Sequence, residues 1–478
     1  MFKQQASQRI AHYRGAAAVC AVLAFFSIQE AAAQVVVTLA PATAVKKVVN
    51  GKFAAQVDNG WVIYSGLQGQ PTLNFYDTDT NGSFKLKTVG NGLNGNGLLF
   101  EAGGIVFAPC PAGVGKCQDN NDTGQAGIGI GFGQATFGGQ GGAAGGWVSD
   151  NSLAAHLTNP DQAPGSLAGL AIDSANGAFA VGWDSDNATF SNHAILWKLD
   201  SAGQTYKPLS QTDLGTLGGR TSQAFGISKN ANYVVGIATT AANKTHAVYA
   251  LTSATSWTDI TANFPAGVIK SRALAASNNG YIAGSATVKR LVNGKNHSVD
   301  IGFVYNTADS SVKFFEAPGY NVIPLKVLDN GRVVGNLELV APGAIKSYHP
   351  FLFDGTNMVD FGVMTLASTH QPAFGCRVNR PNNLGELAGS CIPNNTTPYG
   401  VGGAAFYIDS NSGSPAFIDV NAAVHANADA TTSGLAPYTM GSVTSIDDAD
   451  EITLMGVKLV SGVPNLAAFL VSKPGYNP

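Results

Sequence analysis

From about residue 166 onwards the chain repeats a short phrase of alternating apolar and polar positions. Its fullest form runs from Asp213 to Ala250. A glycine-rich turn (Asp213-Leu-Gly-Thr-Leu-Gly-Gly219) leads into an apolar stretch, Ala224-Phe-Gly-Ile227. A polar tip, Ser228-Lys-Asn-Ala-Asn232, then separates it from Tyr233-Val-Val-Gly236, and His246-Ala-Val-Tyr249 follows. Period-two alternation bounded by Gly, Asn and Ser is the pattern of strands joined by tight turns. It predicts three short strands, the second ending on Gly236.

Partial copies of the phrase follow one another along the chain. Ala171 to Gly182 precedes His193-Ala-Ile-Leu-Trp197, and Ala273 to Gly284 precedes Gly302-Phe-Val-Tyr305. Leu325 to Gly335 precedes His349-Pro-Phe-Leu-Phe353; Leu384 to Gly389 precedes Ala405 to Ile408; Ile446 to Gly456 precedes Ala468 to Val471. The landmark glycines 182, 236, 284, 335, 389 and 456 lie 54, 48, 51, 54 and 67 residues apart. A period near fifty made of short strands matches the blades of a β-propeller better than the shorter coils of a β-helix. Upstream, Trp61-Val-Ile-Tyr64 and Leu73-Asn-Phe-Tyr76 alternate in the same way, so residues 35–107 supply one more unit. The expectation is an all-β propeller spanning residues 34–478, with seven blades, or six or eight. The last unit holds three strands and Val35–Leu39 lacks a local partner, so these two are expected to pair and close the ring. A Gly/Gln/Ala-rich insertion at 124–146 carries one thin strand at Ile128, Ile130 and Phe132, or none.

The first residues stand apart. Lys3, Arg9 and Arg14 precede an apolar run of about fourteen residues, too short for a membrane span. Ala31-Ala-Ala33 follows it. This is the layout of a cleaved signal peptide at residues 1–33, and it implies a secreted or periplasmic bacterial protein. Charged residues make up 12% of the chain, about half the usual share, and 58 residues are glycine. That balance suits many tight turns and argues against helical bundles. A net charge of −3 gives no overall attraction to nucleic acid or an anionic membrane, and both are discounted as partners. Four cysteines follow the leader, and an exported chain suggests the local disulfides Cys110–Cys117 and Cys376–Cys391; free thiols or another pairing are the alternatives.

The phrase A-x-G-I followed by V-V-G and H-A-(aliphatic)-(aromatic), with D-L-G-T-L-G-G-x-x-S-x-A between units, resembles the HAF repeat of bacterial extracellular proteins. Asp213 to Ala224 carries the linker, and His193-Ala194 and His246-Ala247 carry the name-giving pair. Later units have Gly302, Ala405 and Ala468 near the histidine's place. The resemblance implies export and repeated β-units, and it implies no reaction.

Candidate chemistry is sparse. His193, His246 and His349 share one repeat position, where they would meet at a metal only if they lay near the ring axis. The plainer reading is a histidine at a strand start bonded to a nearby backbone group. Asp77, Asp79 and Asn81 (D-x-D-x-N-G) resemble the opening of a calcium loop, although Lys85 and Thr88 stand where closing ligands belong; a hairpin turn is the alternative. Asp447, Asp448, Asp450 and Glu451 form the densest acidic cluster. Trp147 and Trp183, beside turns, are the surface aromatics best suited to stacking on a sugar, whereas Trp197 reads as core. The G-x-S-x-G, H-E-x-x-H and phosphate-loop motifs are absent from the sequence. The leading expectation is therefore a non-enzymatic protein binding a polymer, glycan or protein through loops on one propeller face. The rival is a secreted polysaccharide lyase or hydrolase working at the ring axis, and a third reading is a self-assembling matrix protein.

Overall fold

The computed structural model describes residues 208–426 except for 293, 341–345, 380 and 398–402, together with the strands on either side of that stretch. The chain divides into Met1–Val35, which lies outside the described residues, and Val36–Pro478, which holds the described strands. In chain order, β1 is Thr38–Leu39, and β2–β5 are Phe53–Val57, Gly60–Ser65, Thr72–Asp77 and Lys85–Asn91. Next come β6–β8 (Phe100–Ala102, Ile105–Ala108, Ile128–Gly129) and β9–β10 (Trp147–Asp150, Leu153–His156). The repeat region opens with β11–β14 (Gly165–Asp173, Gly177–Asp186, Ser191–Leu199, Pro208–Asp213) and β15–β18 (Gly218–Ile227, Tyr233–Thr240, Thr245–Leu251, Thr258–Asp259). It continues with β19–β22 (Lys270–Ala276, Tyr281–Val292, Lys295–Asn306, Val312–Phe315) and β23–β26 (Tyr320–Val327, Val333–Leu339, Tyr348–Phe353, Met358–Asp360). After the hairpin β27–β28 (Thr365–Leu366, Gln371–Pro372) come β29–β32 (Gly375–Val378, Leu387–Ile392, Ala404–Ile408, Ile418–Asp419). The last strands are β33–β35 (Thr439–Ile446, Glu451–Val460, Val463–Ser472).

Among the described residues, seven of the sheets are four-stranded. Six are simple meanders; in the seventh, β33–β35 are completed by β1, with Thr38 opposite Ser472 and Leu39 opposite Val471. The first strands of successive repeat sheets lie side by side at β11, β15, β19 and β23, and β33 packs against β2, joining the last sheet to the first. Successive four-stranded meanders closed by a strand from the other end of the chain make a β-propeller. The strand expected from the start of the chain to complete the last unit does so.

The core is built at the seams between sheets. Phe179, Val181 and Leu196 of β11–β14 pack with Ala224, Val234, Val248 and Trp257 of β15–β18. The next seam joins Val235 and Ala247 to Ile282, Ile301 and Phe303. Beyond it, Ala283 and Phe315 meet Val322, Val333 and Phe351, and Val334 and Leu352 meet Val378, Leu387 and Phe406. Because side chains alternate faces along a strand, Val234 and Val235 serve two different seams, as do Ile282 and Ala283, and Val333 and Val334. The apolar first halves of the second strands, such as residues 233–236, 281–284 and 333–335, follow from this two-sided burial.

Gly236 does not end its strand: it sits mid-strand in β16, and the strand continues to Thr240. A Cβ on Gly236 would collide with the carbonyl oxygen of Gln223 on β15. On Gly284, Gly335 and Gly389 it would strike the carbonyls of Arg272, Ile323 and Arg377. Beside three of these four contacts the first strand has a register shift, between Ala224 and Gly226, Ala273 and Ala275, and Pro324 and Lys326. The glycine thus admits a neighbouring backbone rather than a turn. Opposite Gly284, Gly335 and Gly389 stand Phe303, Phe351 and Phe406, three of the largest fully buried side chains.

Cys376 and Cys391 face each other across β29 and β30 and form a disulfide, with both residues fully buried. Cys110 and Cys117 lie outside the described residues. Of the glycine-rich insertion, Ile128–Gly129 is described and pairs in parallel with β7. Among the described residues no helix is long and apolar enough to cross a membrane.

Two stability measurements check this account. Gly284→Ala is expected to cost about 1–3 kcal/mol, from overpacking against a fixed carbonyl. Gly413→Ala, with open space around it, should stay within about 0.5 kcal/mol; equal urea midpoints for the two variants would refute the close-approach role. Deleting residues 35–39 should lower the melting temperature clearly, and an unchanged melt would remove β1 from ring closure.

Candidate functional site

Antiparallel order places the start of each first strand, the turn between second and third strands, and the end of each fourth strand at one edge of the sheet. The repeat histidines lie here, at the start of the third strand. Each donates from Nδ1 to an aspartate at the end of the fourth strand of its own sheet: His193 to Asp213 (2.8 Å), His246 to Asp259 (2.8 Å) and His349 to Asp360 (3.0 Å). A carboxylate only accepts, so the proton sits on Nδ1. The other carboxylate oxygen accepts an N–H two residues on: Gly215 (2.7 Å) for Asp213, and Thr261 (2.8 Å) for Asp259. For Asp360, the Gly362 N–H donates to the oxygen Oδ1 (2.7 Å), while His349 sits 3.0 Å from both oxygens. These are Asx turns that start the crossing to the next sheet. The expectation of a backbone partner for the histidine is corrected: the partner is the linker aspartate. The three pairs belong to three separate sheets and do not converge.

Strand register also corrects the later copies. The residue two positions after the histidine pairs with the landmark glycine, as Val248 does with Gly236. By that rule Ile301, Ala404 and Asn465 occupy the histidine's place, rather than Gly302, Ala405 and Ala468. The aspartate outlasts its partner. Asp419 stands opposite Phe406 and accepts from Ala422 N–H (3.0 Å) at the start of the short helix Val420–Ala426. In β19–β22, Phe314 replaces it.

Burial pushes the Asp360 carboxyl up. The hydrogen bond from His349, the Gly362 N–H and the His349 charge together outweigh that and hold its pKa below the ordinary carboxylate value. Tyr320, whose ring centroid lies 5.0 Å from that of His349, is pushed up first by burial and then by the Asp360 charge.

The same edge carries the bonds between neighbours. Ala194 N–H donates to Ser222 Oγ (2.9 Å) and Ala247 N–H to Ser271 Oγ (2.8 Å), each reaching into the next sheet. Further on, Asp300 N–H donates to Asn321 Oδ1 (3.0 Å). At the opposite edge the tips between first and second strands form a ladder. Asn176 Nδ2 donates to the Asn230 carbonyl (2.8 Å), Asn230 N–H to Asn278 Oδ1 (2.9 Å) and Asn278 N–H to Asp329 Oδ1 (2.7 Å). These partners are 54, 48 and 51 residues apart, the spacing of the landmark glycines. Beside the ladder an open cleft of about 380 Å³ is lined by Asn176, Phe179, Lys198, Thr212, Asn232 and Thr252 among others.

One sheet departs from its neighbours at the histidine-bearing edge. Strands β20 and β21 have twelve residues each, against eight and seven in β16 and β17 and seven and six in β24 and β25. The extension carries Lys289, Arg290, Leu291 and Lys295, all exposed. On β19 beside it, Lys270 and Arg272 are exposed too. Arg272 Nη2 donates to Asp300 Oδ2 (2.7 Å) and Arg290 Nε to Glu316 Oε2 (2.9 Å). Average composition hides this grouping; the length between Gly284 and Gly302 is the one signal of it in the sequence.

Of the expected site residues, Trp183 is half-buried in β12, Trp147 lies in β9, and the two are in different sheets. Trp197 is fully buried, as its apolar strand suggests. Asp77 ends β4, which pairs with β5 as a hairpin through Asp77 and Lys85; Asp79 and Asn81 lie outside the described residues. Asp447, Asp448 and Asp450 also lie outside them, and Glu451 opens β34. Among the described residues no three His, Cys, Asp or Glu side chains gather as a metal site.

No protein-family model matches the chain, and no curated protein matches it. Among solved structures it is similar to the β-propeller domain of the Trilobed protease from Pyrococcus furiosus (10% identity, TM-score 0.36, 64% of this chain and 82% of that one). It is also similar to the Pyrococcus horikoshii acylaminoacyl peptidase (10%, TM-score 0.36, 66% and 46%) and to TolB from Acinetobacter baumannii (12%, TM-score 0.30, 57% and 60%). The chain thus spans about half the length of that peptidase. At these scores the fold rests on the sheet topology itself.

The depressed Asp360 pKa has a sign. An aspartate whose folded pKa is lowered stabilises the fold above its ordinary value of about 4, and the contribution is lost as pH falls through the folded pKa. Urea denaturation of Asp360→Asn between pH 6 and about 2 should therefore show a shallower acid limb than the parent chain. Identical limbs would mean that the carboxylate carries no such linkage.

Proposed function

We propose that this chain is an exported, non-enzymatic propeller of the HAF-repeat kind. It holds a polymer, glycan or protein partner through the turns and linkers at the histidine-bearing edge of its sheets. One observation supports the reading above others: the repeat histidines each hydrogen-bond through Nδ1 to an aspartate that also starts the next linker, and the three pairs stand in three separate sheets rather than at one shared site. A histidine–aspartate pair placed this way fixes backbone. It gives the edge a rigid base from which turns of different length project, and binding commonly resides in such loops. The buried Cys376–Cys391 disulfide is compatible with an oxidising compartment outside the cytoplasm.

Two assays on the secreted chain test this together. A glycan array with a pull-down from culture medium should return a ligand. Incubation with a polysaccharide panel should release neither reducing ends nor unsaturated products. Turnover on any polysaccharide would replace this reading with the enzymatic one, and an empty array with an empty pull-down would sink it.

A further inference from the structure

We propose that the extended hairpin of β20–β21, with the exposed start of β19, is the binding site for a linear polyanionic glycan, one carrying a carboxylate or sulfate on its repeating units. This deepens the binding reading above and rests on it. Measured from the landmark glycine, β20 runs to Val292, eight residues on, whereas β16 ends at Thr240, four residues after Gly236. Four extra residues carry the hairpin about 13 Å beyond its neighbours.

Cross-strand pairing decides what each face of the extension shows. Lys270 stands opposite Thr287 and Arg272 opposite Ser285, while Lys289 faces Ser298 and Leu291 faces Asn296. Positions 285, 287, 289 and 291 alternate onto one face. That face therefore carries Arg272, Lys270 and Lys289 in a row, stepping about 7 Å at a time. The Ser285 and Thr287 hydroxyls beneath the first two are buried and bonded to Arg272 and Asp300, whereas Ser298 and Asn296 are exposed around Lys289. Lys289 Nζ donates to Ser298 Oγ (3.0 Å), which holds the row extended. The other face carries Arg290 beside His297 and Lys295 beside Val292. Two acids reach the group, Asp300 to Arg272 and Glu316 to Arg290, and these arginines remain 44% and 46% exposed. Lys270, Lys289 and Lys295 add to them, so the group is cationic on a chain whose net charge is −3.

The layout selects the ligand. The cations are spread in a line rather than gathered in a pocket, which suits a chain with repeated charge over a single small anion. Exposed Ser298 and Asn296 beside Lys289 match sugar hydroxyls, and Leu291 (71% exposed) and Ile269 (44% exposed) offer apolar contact to ring C–H faces. Nucleic acid fits less well, because no exposed aromatic side chain in the group could stack a base and the whole chain is acidic.

The test compares the parent chain with K289E/R290E/K295E, and with a second variant in which residues 289–297 are replaced by a two-residue turn. Titration calorimetry is run against polygalacturonate, a sulfated galactan, neutral dextran and a DNA duplex. The parent chain should bind one or both acidic glycans, which also tells carboxylate from sulfate. That affinity should fall at least about tenfold between 0.05 and 0.5 M NaCl, as screening requires. Both variants should melt like the parent and bind at least about tenfold more weakly at low salt. Undiminished binding of the acidic glycans by either folded variant overturns the proposal, as does tighter binding of DNA than of either glycan. Equal binding of dextran by all three proteins overturns the anionic assignment while leaving the general binding reading standing. No ligand in any arm, with an empty array, removes both.

Discussion

Two adjacent valines on one strand belong to two different cores, and the architecture depends on that division. A four-stranded sheet of this size has apolar side chains on both faces and cannot cover either by itself. Val234 is buried against the preceding sheet and Val235 against the following one, and the same split recurs at Ile282–Ala283 and Val333–Val334. A ring satisfies every seam at once, and an open row would leave two faces wet. The strand from the beginning of the chain that completes the last sheet is the covalent expression of that requirement.

Sheet stacking alone would fix neither register nor angle between neighbours; polar bonds at the two edges do. A third-strand amide buried at the seam needs an acceptor that its own ladder does not supply. Ser222 provides it from the next sheet for Ala194, and Ala247 N–H is shared between Ser271 of the next sheet and Thr261 of its own linker. The serine of the linker phrase and the alanine after the histidine are therefore two halves of one contact, separated by 28 residues in one case and 24 in the other. The linker aspartate has two tasks, turning the chain and holding the histidine, and Asp419 keeps the first where the second is gone.

Much of this was written in the sequence and some of it could not be. The fifty-residue period was legible because each unit repeats its glycine, and the ladder partners reproduce the same intervals. Trp197 read as core because it closes an apolar run. The role of Gly236 was misread, because a glycine after two valines looks like a strand end. Its real cause, a carbonyl on the neighbouring strand, is a through-space fact. The histidine's partner was missed for a similar reason: it lies 20, 13 or 11 residues downstream, and no fixed spacing marks it. Ile301, Ala404 and Asn465 could be aligned with the histidine only once pairing was known. The cationic hairpin was invisible to whole-chain charge, which averages it away.

The asparagine ladder has a consequence for how such a chain can change. Each tip is held by the tip before it and holds the tip after it, so one residue gained or lost there disturbs two joints. At the far edge β20–β21 shows a turn lengthened with its sheet intact. Variation in length is thereby channelled to the second-to-third-strand turns of one rim, beyond the bonds that join the sheets there, while the tips of the other rim stay coupled to each other.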